Sequence, residues 1–490
     1  MVQKLEEVDV VVVGGGTAGF VAAVAAKEAG ARLVVMLEKA EEREAGGNAR
    51  FTNFGFRFVH QGRDEIRQFL MWMKEERFAK LEIRPYGRDQ FLRDLMETTQ
   101  GKIKRDIAQC LVNESNAAMC WLLHLGHEFE PIPVTEVDGK YRFNPGQVLC
   151  SRGGGVNMLL RWRRIAQQMG VEIRYDSKVV ELSGDEAAVR EAEVEGGGER
   201  YRLRARGGVV LAAGGFQANG EMRAKHLRVP GVATMKIRGS RHDTGEVLER
   251  ALRIGGRAAG QWENAHITPI SATAPDVEGG DPFSRYSYVL GITVNALGER
   301  FFDEGEAESG YTYAKTGHRI LEQPEGRAFQ IFDSKLIPLL RRAYVAEQPV
   351  QADGIAELGV KLGIDPERLT ATVAKFNEAV REDVEFGFPL RDGKGTVGAT
   401  PRKSNWATKL ETPPYYAFPV TGGITFTFGG LDVDAAGRGL DGKAVAIAGL
   451  YAVGDIMGIF YHNYPSFSGS IRNAVFGRIA GTDAARRAVS

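Results

Sequence analysis

Cysteine is nearly missing from this 490-residue chain, with only Cys110, Cys120 and Cys150 present. So sparse and odd a set excludes a disulfide scaffold and suits a reducing compartment. There is no CxxCH, so the chain attaches no c-type haem of its own. Excess charge of one sign is missing too: 63 Lys+Arg balance 63 Asp+Glu. Nothing in that balance favours nucleic acid or an anionic membrane as a partner. Long hydrophobic runs are absent, since the longest apolar stretch (444–460) is interrupted by glycines and Asp455; an integral membrane protein is not expected. The N-terminus carries acids ahead of its apolar run and lacks a signal-peptide layout. Internal repeats and low-complexity segments are also lacking. What remains, 43% apolar and 26% charged residues, is the composition of a soluble globular protein of about two to four domains. A cytoplasmic enzyme is the working class.

The most informative stretch is "VDVVVVGGGTAGFVAAVAAKEAGARLVVMLEKA" (8–40). Val8–Val13 is a β-branched run, as a strand buried on both faces requires. Gly14, Gly16 and Gly19 then form G-x-G-x-x-G, and Thr17 and Ala18 open an Ala-rich helix. A second apolar run ends at Glu38, nineteen residues past Gly19, with Lys39 next to it. Each part has a mechanical reason: a tight turn, close backbone approach to a pyrophosphate, tight helix–strand packing, and an acid for the ribose hydroxyls. The helix N-terminus offers free N–H groups and positive potential to the phosphates. A dinucleotide site is expected here, and this stretch alone leaves NAD and FAD open. A second G-x-G-x-x-G is missing, because "SRGGGVNMLL" (151–160) has the wrong spacing; a built-in NAD(P)H domain is not expected.

Further segments extend the pattern: "EAGGNARFT" (44–52), "GGVVLAAGGFQANGEM" (207–222), "GITVNALGERFFDEG" (291–305), "GLYAVGDIMG" (449–458) and "GIFYHNYPSFSGSIRNAVFGRIAG" (458–481). Together with the N-terminal motif they resemble the FAD flavoprotein family of fumarate reductase and succinate dehydrogenase over essentially the whole chain. Within it, "FYHNYP", "VFGRIAG" and "TGGITFTFGG" look most like the tricarballylate dehydrogenases, and the Tyr-Pro part is shared with the 3-ketosteroid dehydrogenases. The resemblance implies FAD. It also implies an α/β fold, a Rossmann-like FAD-binding domain of glutathione-reductase type with an inserted α+β substrate domain. The limits expected are 1–229 for the FAD-binding domain (with a helical insert near 60–130), 230–385 for the capping domain, and 386–490 for a return segment completing the first. A helix pair is expected near 362–382. By the same resemblance Gly46, Gly47 and Asn48 wrap the cofactor, Ala213, Gly214 and Gly215 pass its adenine side, and Asp455 stands where the family's Glu holds the ribityl hydroxyls. Val179 belongs to the same cofactor-binding set, and Ser470 and Ile471 are expected to aim backbone N–H groups at the flavin pyrimidine. "GGNARFT" has no His where succinate dehydrogenase attaches its flavin, so non-covalent FAD is expected.

The substrate side departs from the family. Flavin chemistry at a saturated C–C bond needs a base or acid for the proton beside a carbonyl, and stabilisation of the developing enolate. The arginine that serves fumarate reductases as proton donor is Glu308 here, and Ser309 replaces the arginine of the tricarballylate branch. The substrate histidine becomes Phe426, and the substrate arginine near the C-terminus becomes Tyr464. Fumarate reduction by the familiar route is disfavoured. The ketosteroid dehydrogenases use tyrosines instead. The resemblance assigns the phenol that polarises a ketone to Tyr464, with the Ser468 N–H beside it. It assigns the α-proton acceptor to Tyr311, ahead of Tyr313 and Glu308. His266 resembles a histidine that binds substrate carboxylate, and reads equally well as a structural residue. Arg472 lies in the first turn of a helix, where a cation is unfavourable with the dipole; it is expected either to hold a substrate carboxylate or to be paired structurally. His462 is a candidate for a substrate hydrogen bond, and Arg241 for supporting the Thr244–Gly245 loop. Cys120, His124 and His127 fall at i, i+4 and i+7, but lacking a fourth ligand they read as core, and no metal is expected.

The leading expectation is an FAD-dependent dehydrogenase that makes a C=C bond conjugated to a carbonyl of a small carboxylate-bearing molecule, such as a cyclic keto acid. Its partners are that substrate and a separate electron acceptor: a quinone, an electron-transfer protein or O2. The alternatives are a tricarballylate-type polycarboxylate dehydrogenase, an enoate or enone reductase running in reverse, a flavoprotein oxygenase, and a non-catalytic FAD-binding subunit.

Overall fold

In the computed structural model, which describes residues 4–134, 136–185, 188–233 and 235–489, the apolar run becomes the centre of a parallel sheet. Strand β1 (Lys4–Val13) has Val8, Val10, Val11 and Val12 fully buried. The chain turns through the glycines into α1 (Thr17–Glu28), capped at Gly16 and buried from Thr17 to Ala26. It then returns as β2 (Val34–Leu37), parallel to β1. That right-handed unit places the ends of both strands and the helix N-terminus at one edge of the sheet.

Residues between 60 and 130 form a helical layer that includes α2 (Arg88–Thr98) and α3 (Arg105–His124). Beyond it, β3 (Glu172–Arg174) adds to β2 in parallel. The hairpin β4 (Ser177–Asp185) and β5 (Ala188–Gly196) leads into β6 (Glu199–Leu211). The first half of β6 pairs with β5 and its whole length with β1.

A second sheet follows. It draws on β7 (Ala265–Ser271), β8 (Ile292–Asn295), β9 (Arg327–Asp333) and β10 (Tyr415–Thr427), with α4 (Ser309–Leu321) packed against β7. β10 pairs antiparallel with β7 on one side and β9 on the other, and β8 lies beyond β9. β10 lies in the segment whose sequence suggests completion of the cofactor domain, yet it pairs in this second sheet. The expected helix pair is present somewhat earlier, as α5 (Ile355–Leu362) and α6 (Pro366–Ala379). The return segment then adds β11 (Ala446–Ala452) in parallel to β6 and lays α7 (Ser468–Val489) against α1 and β6. The architecture is the α/β flavoenzyme fold expected from the sequence. No helix among the described residues is long and apolar enough to cross a membrane.

Candidate active site

One cavity of about 870 Å³ opens at the C-terminal ends of β1, β2 and β6, lined there by Val13, Leu37 and Ala212. Sites in open parallel sheets sit at this edge. The cavity runs under the second sheet, so that its two halves differ in chemistry.

The first half is backbone-rich. Of the cofactor residues expected, all but Gly19, Gly215 and Ile471 line it. The exceptions act from behind. A Cβ on Gly19 would land on the Gly14 carbonyl oxygen, and one on Gly215 on the Thr427 hydroxyl, so both glycines permit close packing instead of facing the cavity. Ile471 is fully buried in the first turn of α7, next to Ser470 on the wall. Gly14, Gly46, Gly47 and Gly214 have φ of 109°, 121°, 56° and 72°, a region that favours glycine. A Cβ at Gly47 would meet nothing within 4 Å, leaving its backbone open to a ligand. The Glu38 carboxylate is already aimed, accepting from the N–H groups of Gly15 (2.7 Å) and Ala40 (2.8 Å). Asn48 donates to the Thr425 carbonyl (2.9 Å) and to Asp455 (3.2 Å), and accepts from the Ser240 N–H. Lys39 is held by Thr244 and by Glu246, at 3.1 Å from the latter. Open glycine backbone, a helix N-terminus, a ribose-ready acid and a cavity of this size fit a dinucleotide such as FAD.

The second half is aromatic. Tyr313 on α4 donates to the hydroxyl of Tyr464 at 3.1 Å. His266 on β7 stacks on Phe426 of β10, with centroids 4.9 Å apart and planes at 8°. It meets Tyr313 and Tyr464 edge-on at 5.0 and 4.7 Å. Tyr286 closes the group, its ring 4.9 Å from that of Tyr313. Burial pushes Tyr464 up to about 12 and Tyr313 well above the ordinary phenol value, the latter raised further by Tyr464. Burial likewise drives His266 well below the usual imidazole range, helped by the Arg238 cation, so it is neutral.

Several expectations need correction, while Arg472 takes the structural pairing and His127 the core packing that the sequence also allows. Tyr311 does not face the cavity; its hydroxyl donates to Asp94 at 3.3 Å and Arg57 covers its ring at 5.3 Å. Residues 311 and 313 are two apart on α4, about 200° around a helix, so only one of them can face the site, and that one is Tyr313. Arg472 is buried and ion-paired with Asp455, and it does not line the cavity. The cation sits at a helix N-terminus because a carboxylate faces it there. Glu308 does reach the wall, but Arg391 holds its carboxylate at 2.7 Å. The Ser468 N–H closes its own turn onto the Pro465 carbonyl at 3.1 Å instead of facing a substrate. Arg241 pairs with Glu278 at 2.9 Å, not with the Thr244–Gly245 loop. His462 lines a separate polar recess with Tyr311 and Asp94. His127 lies past the end of α3, its ring 4.3 Å from Trp162.

Residues that sequence reading missed are Arg238, Asp243 and Tyr286. Arg238 is buried, ion-paired with Asp281, bonded to the Thr425 hydroxyl at 2.9 Å, and its positive charge lowers the pKa of Tyr313, Tyr464 and Tyr286. Asp243 lines the cofactor half and accepts from the Gln217 side-chain amide at 2.6 Å; burial, then the Asp455 charge, raises its pKa well above the ordinary value. Both flank Arg241 in "KIRGSRHDTGE", and their burial was the signal sequence does not carry.

The FAD binding domain family matches residues 9–471, and the chain belongs to that family. It is an FAD-dependent oxidoreductase acting on CH–CH groups. A probable fumarate reductase, Ifc3, of Shewanella frigidimarina (strain NCIMB 400) is 28% identical over 506 residues, covering 99% of this chain and 76% of the relative. A 3-oxosteroid 1-dehydrogenase of Mycobacterium tuberculosis (strain ATCC 25618 / H37Rv) is 29% identical over 360 residues, 64% of this chain and 60% of its own. A 4-oxocyclohex-2-ene-1-carboxylate 5-dehydrogenase of Sinomonas cyclohexanicum is 30% identical over 373 residues, 70% and 61% of the two chains.

Overpacking a tight junction costs about 1–3 kcal/mol. Gly19→Ala should therefore weaken FAD retention about tenfold or more, measured as the dissociation constant after reconstituting the apoprotein, because the new methyl displaces the Gly14 turn.

Proposed function

We propose that this protein desaturates a small cyclic ketone bearing a carboxylate, placing the new C=C bond α,β to the ketone. The observation that carries this reading is the Tyr313–Tyr464 hydroxyl pair on the cavity wall, packed against Phe426 and neutral His266. A ketone α-proton is acidic enough for a phenolate acceptor. Tyr313 gives its hydrogen bond to Tyr464, which leaves the Tyr464 proton free to donate to a ketone oxygen and stabilise the enolate as it forms. The Tyr313 oxygen takes the α-proton only as the phenolate, after its own proton has left to solvent and its hydrogen bond to Tyr464 has been given up. Arg238, buried and on the same cavity wall, favours their ionised forms against the cost of burial. Bound FAD, held non-covalently by the glycine backbone, Glu38, Asn48 and Asp455, supplies the acceptor for the hydride from the β-carbon. First-turn N–H groups of α7 at Ser470 and Ile471 add positive potential at that end. Electrons then pass to a separate acceptor: a quinone, an electron-transfer protein or O2. Microscopic reversibility lets the same groups serve an enone reductase.

Two of the relatives are named for dehydrogenation of cyclic ketones, one of them a keto acid, which supports the same reading. The test is anaerobic titration of the yellow protein with 4-oxocyclohexane-1-carboxylate. The flavin band should bleach as an enone absorbance appears, and acid precipitation should release the FAD. Bleaching by tricarballylate alone would instead place the protein in the polycarboxylate branch.

A further inference from the structure

The proposed substrate carries two handles, and the tyrosine pair addresses only its ketone. The carboxylate needs a cation in the same cavity. The positions where fumarate-reducing relatives keep cationic groups hold Glu308, Phe426 and Tyr464 in this chain. Of the other cationic side chains on the wall, Arg238 is occupied by Asp281, Arg142 by Glu82, and Lys39 and Lys178 by Glu246. Arg341 and Arg342 differ: both line the cavity and neither forms an ion pair with a carboxylate among the described residues, but Arg341 is the one whose guanidinium is braced against Ser309 and Tyr286.

The structure also fixes where Arg341 points. Its backbone N–H donates to the Ser287 hydroxyl at 3.0 Å, and its guanidinium donates to the Ser309 hydroxyl at 3.0 Å. The guanidinium lies over the Tyr286 ring, 5.5 Å from its centroid, an arrangement that steadies an arginine while keeping donors free. Tyr286 in turn packs edge-on against Tyr313. The cation therefore sits one aromatic ring, that of Tyr286, away from Tyr313, on the wall of the same cavity. Glu308 lies next to Ser309 and would compete for Arg341, but Arg391 holds it away.

We infer that Arg341, braced by Ser309 and Tyr286, is the specificity-determining residue that binds the substrate's carboxylate, selecting cyclic keto acids over neutral ketones. The inference rests on the desaturase reading above for the position of the ketone, but the carboxylate contact can be tested separately. A guanidinium–carboxylate pair is charge-assisted and bidentate, and its loss typically costs about one to two orders of magnitude in affinity.

The experiment compares 4-oxocyclohexane-1-carboxylate with its neutral methyl ester on the FAD-loaded wild type and on Arg341→Gln and Arg341→Lys. Turnover and calorimetric binding are both measured. For Arg341→Gln the KM and dissociation constant of the acid should rise about 10–100-fold, with kcat and both ester constants within about twofold; Arg341→Lys should recover part of the loss. An equal loss for acid and ester, or no loss for either, overturns the inference. If the acid binds in an Arg341-dependent way but neither compound bleaches the flavin, the desaturase reading fails and the carboxylate site stands. If the acid bleaches the flavin with a KM indifferent to Arg341, the reverse holds.

Discussion

Tyr313→Phe should lower kcat/KM for a saturated cyclic keto acid by about 10²–10⁴-fold, the usual range for removing a positioned general base. The variant keeps the ring that packs against His266 and Tyr286, so FAD content and substrate binding should be close to wild type. The pH profile separates a base from a packing residue. Tyr313 titrates well above the ordinary phenol pKa because burial disfavours its anion, and ionised Tyr464 would oppose it further. Its reactive form, the phenolate, is therefore scarce at neutral pH and grows as pH rises. For the wild type, log kcat/KM should climb with a slope of about one from pH 7 to 10 without a plateau, since the raised pKa lies above that window. In Tyr313→Phe that climb should vanish. A profile that levels off below pH 9 would mean another group takes the proton. Tyr311→Phe, by contrast, removes one long hydrogen bond to Asp94 outside the cavity, and its pH profile should keep the wild-type slope.

Arg57→Met should destabilise the holoenzyme by about 3–5 kcal/mol, the cost of leaving a buried ion pair without one partner. Arg57 is fully buried. It donates to Asp94 at 3.0 Å, to the Tyr86 hydroxyl at 2.7 Å and to the Ser466 carbonyl at 2.9 Å, and its cation faces the rings of Tyr86 and Tyr311. One side chain thus ties α2 of the helical layer to the turn that presents Tyr464. Methionine fills the volume but leaves the Asp94 carboxylate, still bonded by Tyr86 and Tyr311, without its cation and the Ser466 carbonyl without its donor. Chemical denaturation should show the loss, and turnover at a temperature where the variant stays folded should fall too, because the Tyr464 turn has lost its brace. A change below 1 kcal/mol would show that water or Tyr86 replaces the guanidinium. Asp94→Asn keeps a hydrogen-bond acceptor and should cost less.

Much of the cofactor half is legible in the chain because it is local. Strand, glycines, helix, second strand and acid follow one another between Val8 and Glu38, and backbone sterics dictate each step. The substrate half resists for physical reasons. Tyr311 and Tyr313 differ only in helical phase, and phase relative to a cavity is fixed by how α4 packs on β7. Arg238 and Arg341 draw their meaning from Asp281, Tyr286 and Ser309, residues that no short spacing joins to them. Arg472 reads equally as a substrate-holding or a structurally paired cation until Asp455, seventeen residues earlier, is seen against it. The pairing of β10 with β7 and β9 spans more than eighty residues, beyond what local pattern reports.

That long β10 strand has a consequence for how the chain is made. The second sheet begins at residue 236 but lacks its central strand until residue 427 has been synthesised, and the parallel sheet waits for β11 and α7 after that. Neither sheet can close while most of the polypeptide is already outside the ribosome, and non-local closure of this kind is slow. Nascent chains stalled before residue 415 should therefore stay protease-sensitive in both sheets, and should become resistant in a single late step once the C-terminal helix emerges.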